Sequence, residues 1–211
     1  MLSPEILDNN LLQVFILLNS ESNNNYLVGG CVSDYLLGLS PKDFDIVTDV
    51  HMDKIEEIFT QNGWKVDSVG KQFLVMFISK NNQEYEIANF RRDEGFSDGR
   101  RPDRAVIGDL ESDAARRDFT VNSIYYDPIG NKFLDPNNGL KDIESKTLKF
   151  IGKPKDRIRE DFLRVFRFFR FLRKGFKPDK KSLKACRELF NEAYLKTTPE
   201  RVRMEIERMV L

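Results

Sequence analysis

Histidine, cysteine and tryptophan are scarce in this chain: one, two and one among 211 residues. The single His51 cannot build a histidine-rich zinc site and is expected to cap a helix start. Cys31 and Cys186 stand far apart without metal-ligand spacing, so a reduced, cytoplasmic protein is expected. Net charge is also missing, because 34 basic residues cancel 34 acidic ones, and global charge therefore selects neither nucleic acid nor membrane. The apolar run "LLQVFILL" is too short to span a bilayer and no basic segment precedes it, so no membrane partner is expected. There is no internal repeat.

The charge is unevenly placed. Residues 149–184 hold 14 Lys/Arg against 4 Asp/Glu, a local net charge of +10 on a remainder of −10. A basic block beside an acidic remainder fits a polyanion contact next to a metal site; the plainer alternative is a solvated helical surface. Hydrophobic periodicity predicts an amphipathic helix over 3–19 with Ser3 as N-cap. Strands are expected near 26–29, 43–48, 64–69, 72–79 and 83–90, with helices over 31–38 and 52–62. "DEGFSDGRRPDRAVIGD", residues 93–109, reads as a mobile loop, and "DPIGN" as a turn between two short strands. After about residue 150 the pattern becomes helical, over 155–174, 179–192 and from 198 onward, and "TTPE" offers Thr197 and Glu200 as a capping box. The last helix is still running at Leu211, as expected of a fragment or an unusually short chain.

Four patches carry chemistry. In "YLVGGCVSDYLLGLSPKDFDIVT" a strand meets Gly29 and Gly30 where a helix begins, and missing side chains let backbone N–H groups approach a phosphate. Thirteen residues after Gly30 come Asp43 and Asp45. On a strand they point the same way, about 7 Å apart, and they repel unless a cation lies between them. Oxygen-only ligands favour Mg²⁺ or Mn²⁺, and a phosphate cradle beside a carboxylate pair suggests two-metal phosphoryl or nucleotidyl transfer. "RRDFTVNSIYYD" sets two arginines beside an apolar start, and arginine offers a planar fork of donors to phosphate. In "REDFLRVFRFFRFLRK" the phenylalanines follow a packed helical face, while Asp161, Arg164, Arg167, Arg170 and Arg173 step by three around the other side. Arg173 is read as solvated.

In order and spacing, these motifs and "ERVRMEIERM" near the end resemble the class II tRNA nucleotidyltransferases (CCA-adding enzymes) and the related bacterial poly(A) polymerases, from about Tyr26 to Met209. The resemblance implies an α+β fold: a nucleotidyltransferase (polymerase-beta-like) head over 1–150, with a mixed sheet flanked by helices, then an all-α neck over 151–211 that reads the base. It implies that Asp43 and Asp45 bind the catalytic metals. A further carboxylate would be Glu86, whose strand can lie beside theirs, or Asp118, which the family also counts as active-site. Gly29 and Gly30 would meet the triphosphate, Arg116 would bind nucleotide, and Asp161, Arg164, Arg167 and Arg170 fall on nucleotide-binding positions. Mg²⁺ (or Mn²⁺), ATP and CTP are the implied cofactor and substrates, and the 3′ end of tRNA or another RNA the implied partner.

The Asp161–Arg164 pair has a chemical logic of its own. A carboxylate accepts and a guanidinium donates, which matches the amino donor and ring acceptor of cytosine or adenine and mismatches uracil and guanine. Such mismatches discriminate by factors on the order of 10⁴. One departure stands out: the family's G-G-x-V-R-D reads "GGCVSD" here, so Ser33 replaces an arginine expected near the triphosphate. Three functions compete: CCA addition to tRNA, poly(A) addition, and a non-catalytic RNA-binding or partner module. The arginine-rich stretch associated with poly(A) polymerases is absent from "VGKQFLVMFI", which favours the first.

Overall fold

The structure is a computed structural model and describes residues 8–41, 43–95 and 104–210. Seven strands form one mixed sheet. They are β1 (Asn25–Val28), β2 (Asp45–Thr48), β3 (Lys65–Asp67), β4 (Val75–Lys80), β5 (Gln83–Asn89), β8 (Tyr125–Asp127) and β9 (Lys132–Leu134), in the order β3-β4-β5-β2-β1-β8-β9. Only β2 and β5 run parallel; the remaining pairs in this sheet are antiparallel.

Strand alternation gives the sheet two unlike faces. Leu27, Ile46, Ile87 and Met76 point toward α1 (Asn9–Asn19) and α3 (Met52–Gln61) in the main core. Tyr26, Val28, Val47 and Tyr125 belong to a smaller cluster with Phe90 and Ala114 on the other side. Asp45 precedes Val47 by the two-residue period, so it lies on this second face, as does Glu86 opposite it. The expected α+β head with flanking helices is what the chain forms.

Several boundaries differ from the sequence reading. The Ser3 cap lies outside the described residues; α1 is capped by Asp8, whose Oδ1 accepts from Leu11 N at 2.7 Å. His51 does cap α3, its Nδ1 accepting from Asp53 N at 3.3 Å. β2 begins at Asp45, leaving Asp43 on an exposed bend before the strand. At the flanks of the loop expected over 93–109, β6 (Arg91–Glu94) pairs antiparallel with β7 (Arg104–Ile107), while residues 96–103 lie outside the described residues. A charged sequence hid this pairing, because an exposed two-stranded ribbon needs little apolar patterning.

In the second half, the single helix expected over 155–174 is two, α6 (Pro154–Glu160) and α7 (Leu163–Arg173). Asp161 leaves the helical region (φ −147°, ψ 108°) and its Oδ1 accepts from Leu163 N at 3.1 Å. A short carboxylate competing for backbone N–H breaks a helix without glycine or proline. α8 (Lys180–Lys196) and α9 (Pro199–Val210) follow. The capping box does not form: Thr197 closes α8, its Oγ1 is buried without a hydrogen bond, and Pro199 already opens α9.

Packing runs unbroken across residue 150. Phe119 lies 4.8 Å from Phe150 and 5.3 Å from Phe171 between ring centroids, and Phe150 stacks on Phe168 at 5.6 Å. β10 (Thr147–Leu148) also pairs in parallel with β11 (Lys177–Pro178), between α7 and α8. Helices 6 to 9 are thereby fixed against the sheet, with one edge of α7 facing the carboxylates.

Candidate active site

A cleft of about 840 Å³ opens between the second face of the sheet and α7. Asp43, Asp45 and Glu86 line it from the sheet side, with Gly30 and Asp34 from α2 (Gly30–Leu36). Arg167, Arg170 and Lys174 line it from the helical side. Asp45 and Glu86 are direct neighbours in the parallel register of β2 and β5. Among the described residues, none of Asp43, Asp45 and Glu86 has a side-chain hydrogen bond or an ion pair within 4.0 Å. Burial raises the pKa of Asp45; Arg117 pulls it back and Asp43 pushes it further up. Glu86 is raised by burial and then by Asp45. Unpaired acidic neighbours on a half-buried sheet destabilise a fold, so they answer to something outside it.

Their chemistry fits a hard divalent cation. All donors are oxygens, and no protein cation within ion-pair distance occupies the place. Among the described residues no group of three or more His, Cys, Asp or Glu side chains is placed to hold a metal ion by itself. That too suits an ion which keeps several waters and takes its remaining ligands from phosphate. Both thiols, in contrast, are buried and pushed up to about 12 by burial, so neither offers a thiolate.

The glycine corner is built against these carboxylates. Gly29 has φ 83° and ψ −139°, backbone that a side chain strains to adopt, and a Cβ there would lie 3.1 Å from Asp45 Oδ2. It would also lie 3.7 Å from Nη1 of Arg117, an arginine the sequence reading passed over in favour of its neighbour. Arg117 donates to Asp113 at 2.9 Å and to the Tyr125 hydroxyl at 3.2 Å, while Arg116 donates to the other Asp113 oxygen at 2.6 Å. Asp113 is fully buried; burial works against its charge, yet Arg117, Arg116 and the Tyr125 hydroxyl hold it at about 2. The two arginines of "RRD" thus anchor α4 (Leu110–Arg116), with Arg117 facing Asp45 from behind. Only the doubled arginine signalled this, and sequence could not say which faced the site.

Asp118 stands one layer back. It accepts from Arg167 at 2.7 Å and from the Asn122 amide at 3.0 Å, while Asn122 and Arg167 both line the cleft. Burial opposes its charge, but Arg167, the Asn122 amide and Arg164 keep its pKa at about 2. Arg170 is fixed likewise by Glu205, which is 2% exposed and 2.6 Å away.

Ser33 does not reach the cleft: it is fully buried, its hydroxyl donating to Gly30 O at 3.1 Å within α2. Asp161 and Arg164 do not share a helix and do not line the cleft. Asp161 pairs with Arg201 at 3.2 Å, whereas Arg164 donates to Arg157 O and Glu160 at 2.8 Å and to Arg116 O at 3.0 Å. Arg116 is likewise outside the lining.

The model of the poly A polymerase head domain matches residues 25–149, more than half of the chain. The chain belongs to that family. Among its relatives, the poly(A) polymerase I of Haemophilus influenzae is 37% identical over 185 residues, covering 82% of this chain and 40% of the relative. The CCA-adding enzyme of Enterococcus faecalis is 34% identical over 196 residues, covering 92% of this chain and 47% of the relative. The chain therefore spans less than half the length of either. A structure of the Bacillus stearothermophilus CCA-adding enzyme in complex with CTP superposes with a TM-score of 0.79 at 30% identity, over 94% of this chain and 47% of that one. The fold of the Thermotoga maritima CCA-adding enzyme matches at a TM-score of 0.79 over 98% of this chain. The family match ends at residue 149, and the structural match continues through α7, which brings Arg167 and Arg170 to the family's head.

Proposed function

We propose that this chain is the head and neck of a template-independent nucleotidyltransferase that adds C and A to tRNA 3′ ends from CTP and ATP. The observation that carries the reading is the unpaired Asp43–Asp45–Glu86 cluster facing fixed arginines across one cleft. The relatives named CCA-adding enzyme and the CTP-bound neighbour support it.

In the reaction the terminal 3′-hydroxyl oxygen bonds to the α-phosphorus in line, the bond from that phosphorus to the bridging oxygen breaks, and pyrophosphate leaves. Asp43, Asp45 and Glu86 would hold Mg²⁺ (or Mn²⁺), which when bound lowers the pKa of the attacking hydroxyl and neutralises charge on the phosphates. The chain's own groups do the rest. The hydroxyl proton passes to a carboxylate of the cleft, and burial makes Asp45 and Glu86 better acceptors than an exposed acid. Arg167 and Arg170, each pinned by a buried carboxylate, present guanidinium groups to the incoming nucleotide without the cost of ordering them. Gly30 leaves open space, with nothing within 4 Å of where its Cβ would be.

Selection of C and A by Asp161 and Arg164 requires a rearrangement from the present geometry. Asp161 must exchange Arg201 for a base amino group, and Arg164 must turn a donor from Glu160. On the RNA side, Lys180, Lys184 and Arg187 share the solvent face of α8, and Lys180 and Arg187 have no ion-pair partner among the described residues. Such a stripe suits the phosphate backbone of the tRNA.

The second reading is poly(A) addition, favoured by the Haemophilus influenzae relative. A primer-extension assay separates them. Purified protein with Mg²⁺ receives a tRNA lacking CCA, a tRNA ending in CC, and oligo(A), each with single nucleotides. Defined C and then A additions on tRNA are expected. Long A tails on any RNA would establish the second reading, and no incorporation beside an active control enzyme would leave a non-catalytic module.

A further inference from the structure

The cations of the cleft are not held alike. Arg167 and Arg170 are fixed by Asp118 and Glu205, carboxylates that are 7% and 2% exposed and lie outside the cleft lining. Lys174, at the end of α7, is different. Its Nζ lies 2.5 Å from Asp34 Oδ1 and 5.0 Å from the Phe171 ring centroid, and both Lys174 and Asp34 line the cleft, beside Gly30. The two side chains are 22% and 21% exposed. Nothing arriving in the cleft can easily displace the buried partners of the arginines. Asp34, in contrast, is open to competition from an anion, and a partly hydrated pair is worth little.

α2 supplies no cation of its own at this end. Ser33 is buried against Asn122 and Asp34 is acidic, so apart from Arg117 behind Gly29 the cations that line the cleft beside Gly30 come from its far side. The Lys174 stem reaches in from there, with its ammonium resting on an aromatic face.

We propose that Lys174 is a phosphate ligand for the nucleotide's triphosphate, held in reserve by Asp34 until the triphosphate takes the carboxylate's place. The proposal rests on the nucleotidyltransferase reading and extends it to a residue on the neck. While the cleft is free of nucleotide, Asp34 neutralises Lys174. On binding, the ammonium exchanges one carboxylate for phosphate oxygens, and Asp34 becomes a bare charge that opposes the bound anion. Asp34 therefore acts as a competitor. The pair then has a signature that a purely structural latch lacks: its two halves have opposite effects on nucleotide affinity.

Calorimetric titration of the full chain with ATP and with CTP, in Mg²⁺ and without RNA, tests this on wild type, Lys174→Gln, Lys174→Arg and Asp34→Asn. Loss of a charge-assisted contact weakens Lys174→Gln roughly tenfold or more for both nucleotides, Lys174→Arg recovers most of that, and Asp34→Asn binds as tightly as wild type or tighter. Thermal melting of each variant without nucleotide checks folding, and inorganic tripolyphosphate as titrant should repeat the same order of affinities. Equal weakening by Lys174→Gln and Asp34→Asn would make the bridge a structural latch and overturn the proposal. Unchanged affinity in Lys174→Gln would overturn it while leaving the nucleotidyltransferase reading intact. A wild-type protein that binds neither nucleotide would remove both.

Discussion

Replacing Asp118 by asparagine keeps the shape of the side chain and its Oδ1 acceptor for Phe119 N, and turns the Oδ2 that accepts from Arg167 into an uncharged amide donor, removing both the charge and the acceptor. The pKa of Asp118 is held at about 2, against roughly 3.9 for an aspartate in an unfolded chain, so the charge contributes about 2–3 kcal/mol. The Asp118 side chain is 8% exposed and Arg167 is 29% exposed, which places the cost at about 2–3 kcal/mol rather than the larger figure for a fully enclosed pair. For a chain of this length that is a fall in Tm of about 5–10 °C. The sign with pH follows from the lowered pKa: the contribution is complete above roughly pH 4 and is lost as pH falls through about 2. Urea unfolding of both proteins at pH 7, 5, 4 and 3 should show a constant gap at the first two values that has narrowed to about half at the last. Asp113 titrates in the same range but is common to both proteins, so it cancels from the difference. A gap under about 0.5 kcal/mol at pH 7, or one that persists undiminished at pH 3, would mean that Arg167 is not held by the charge of Asp118.

Asp45→Asn should abolish nucleotide addition, by about 10³-fold or more, and yet raise the Tm at pH 7, because the folded state raises the Asp45 pKa and disfavours its charged form. That gain should vanish as pH falls below the carboxylate range; paired activity and melting curves check both halves. Gly139→Ala places a methyl group over the Thr120 carbonyl and 2.7 Å from Ile124 Cγ1, so a loss of about 1–3 kcal/mol or more is expected in denaturant titration. Gly29→Ala should cost about 1–3 kcal/mol through its positive φ and crowd Asp45, whereas Gly30→Ala, with open space around it, should melt like wild type and raise the KM for nucleotide. Neutralising Lys180, Lys184 and Arg187 together should weaken tRNA binding and reduce its salt dependence by about two to three units of slope, with the KM for free nucleotide unchanged.

How much of this was readable in advance depended on the kind of signal. The strands at Asn25–Val28 and Gln83–Asn89 announce themselves through buried β-prone residues, and Glu86, offered with Asp118 on the strength of the family resemblance, does lie beside Asp45. The break at Asp161 could not, because the apolar spacing of α6 and α7 continues through it and a carboxylate turning onto Leu163 N leaves no periodic trace. The pairing of β6 with β7 was masked by its charges. Ser33 shows the reverse failure: a motif position set it in the site, and burial against Asn122 takes it out. Pairings such as Asp161 with Arg201 and Arg170 with Glu205 join residues 35 or more apart, and no local pattern encodes them.

The division of charge between the two sides of the cleft explains why the site needs α7 as well as the sheet. Asp45 and Glu86 repel one another on neighbouring parallel strands, so the sheet carries a local instability, relieved in part by Arg117 and Arg167 at Asp45 and by Arg91, Arg117 and Arg116 at Glu86. Every cation lining the cleft comes from α7 or α9, and the two best ordered are already balanced by Asp118 and Glu205. The helices therefore offer shape and fixed donors and only partly offset the charge of the sheet. A polyanion alone would not settle on such a surface, and neither would a cation lacking phosphate to complete its ligands. A metal–triphosphate complex satisfies both sides at once, so its binding should stabilise head and helices together as one cooperative unit, by linkage.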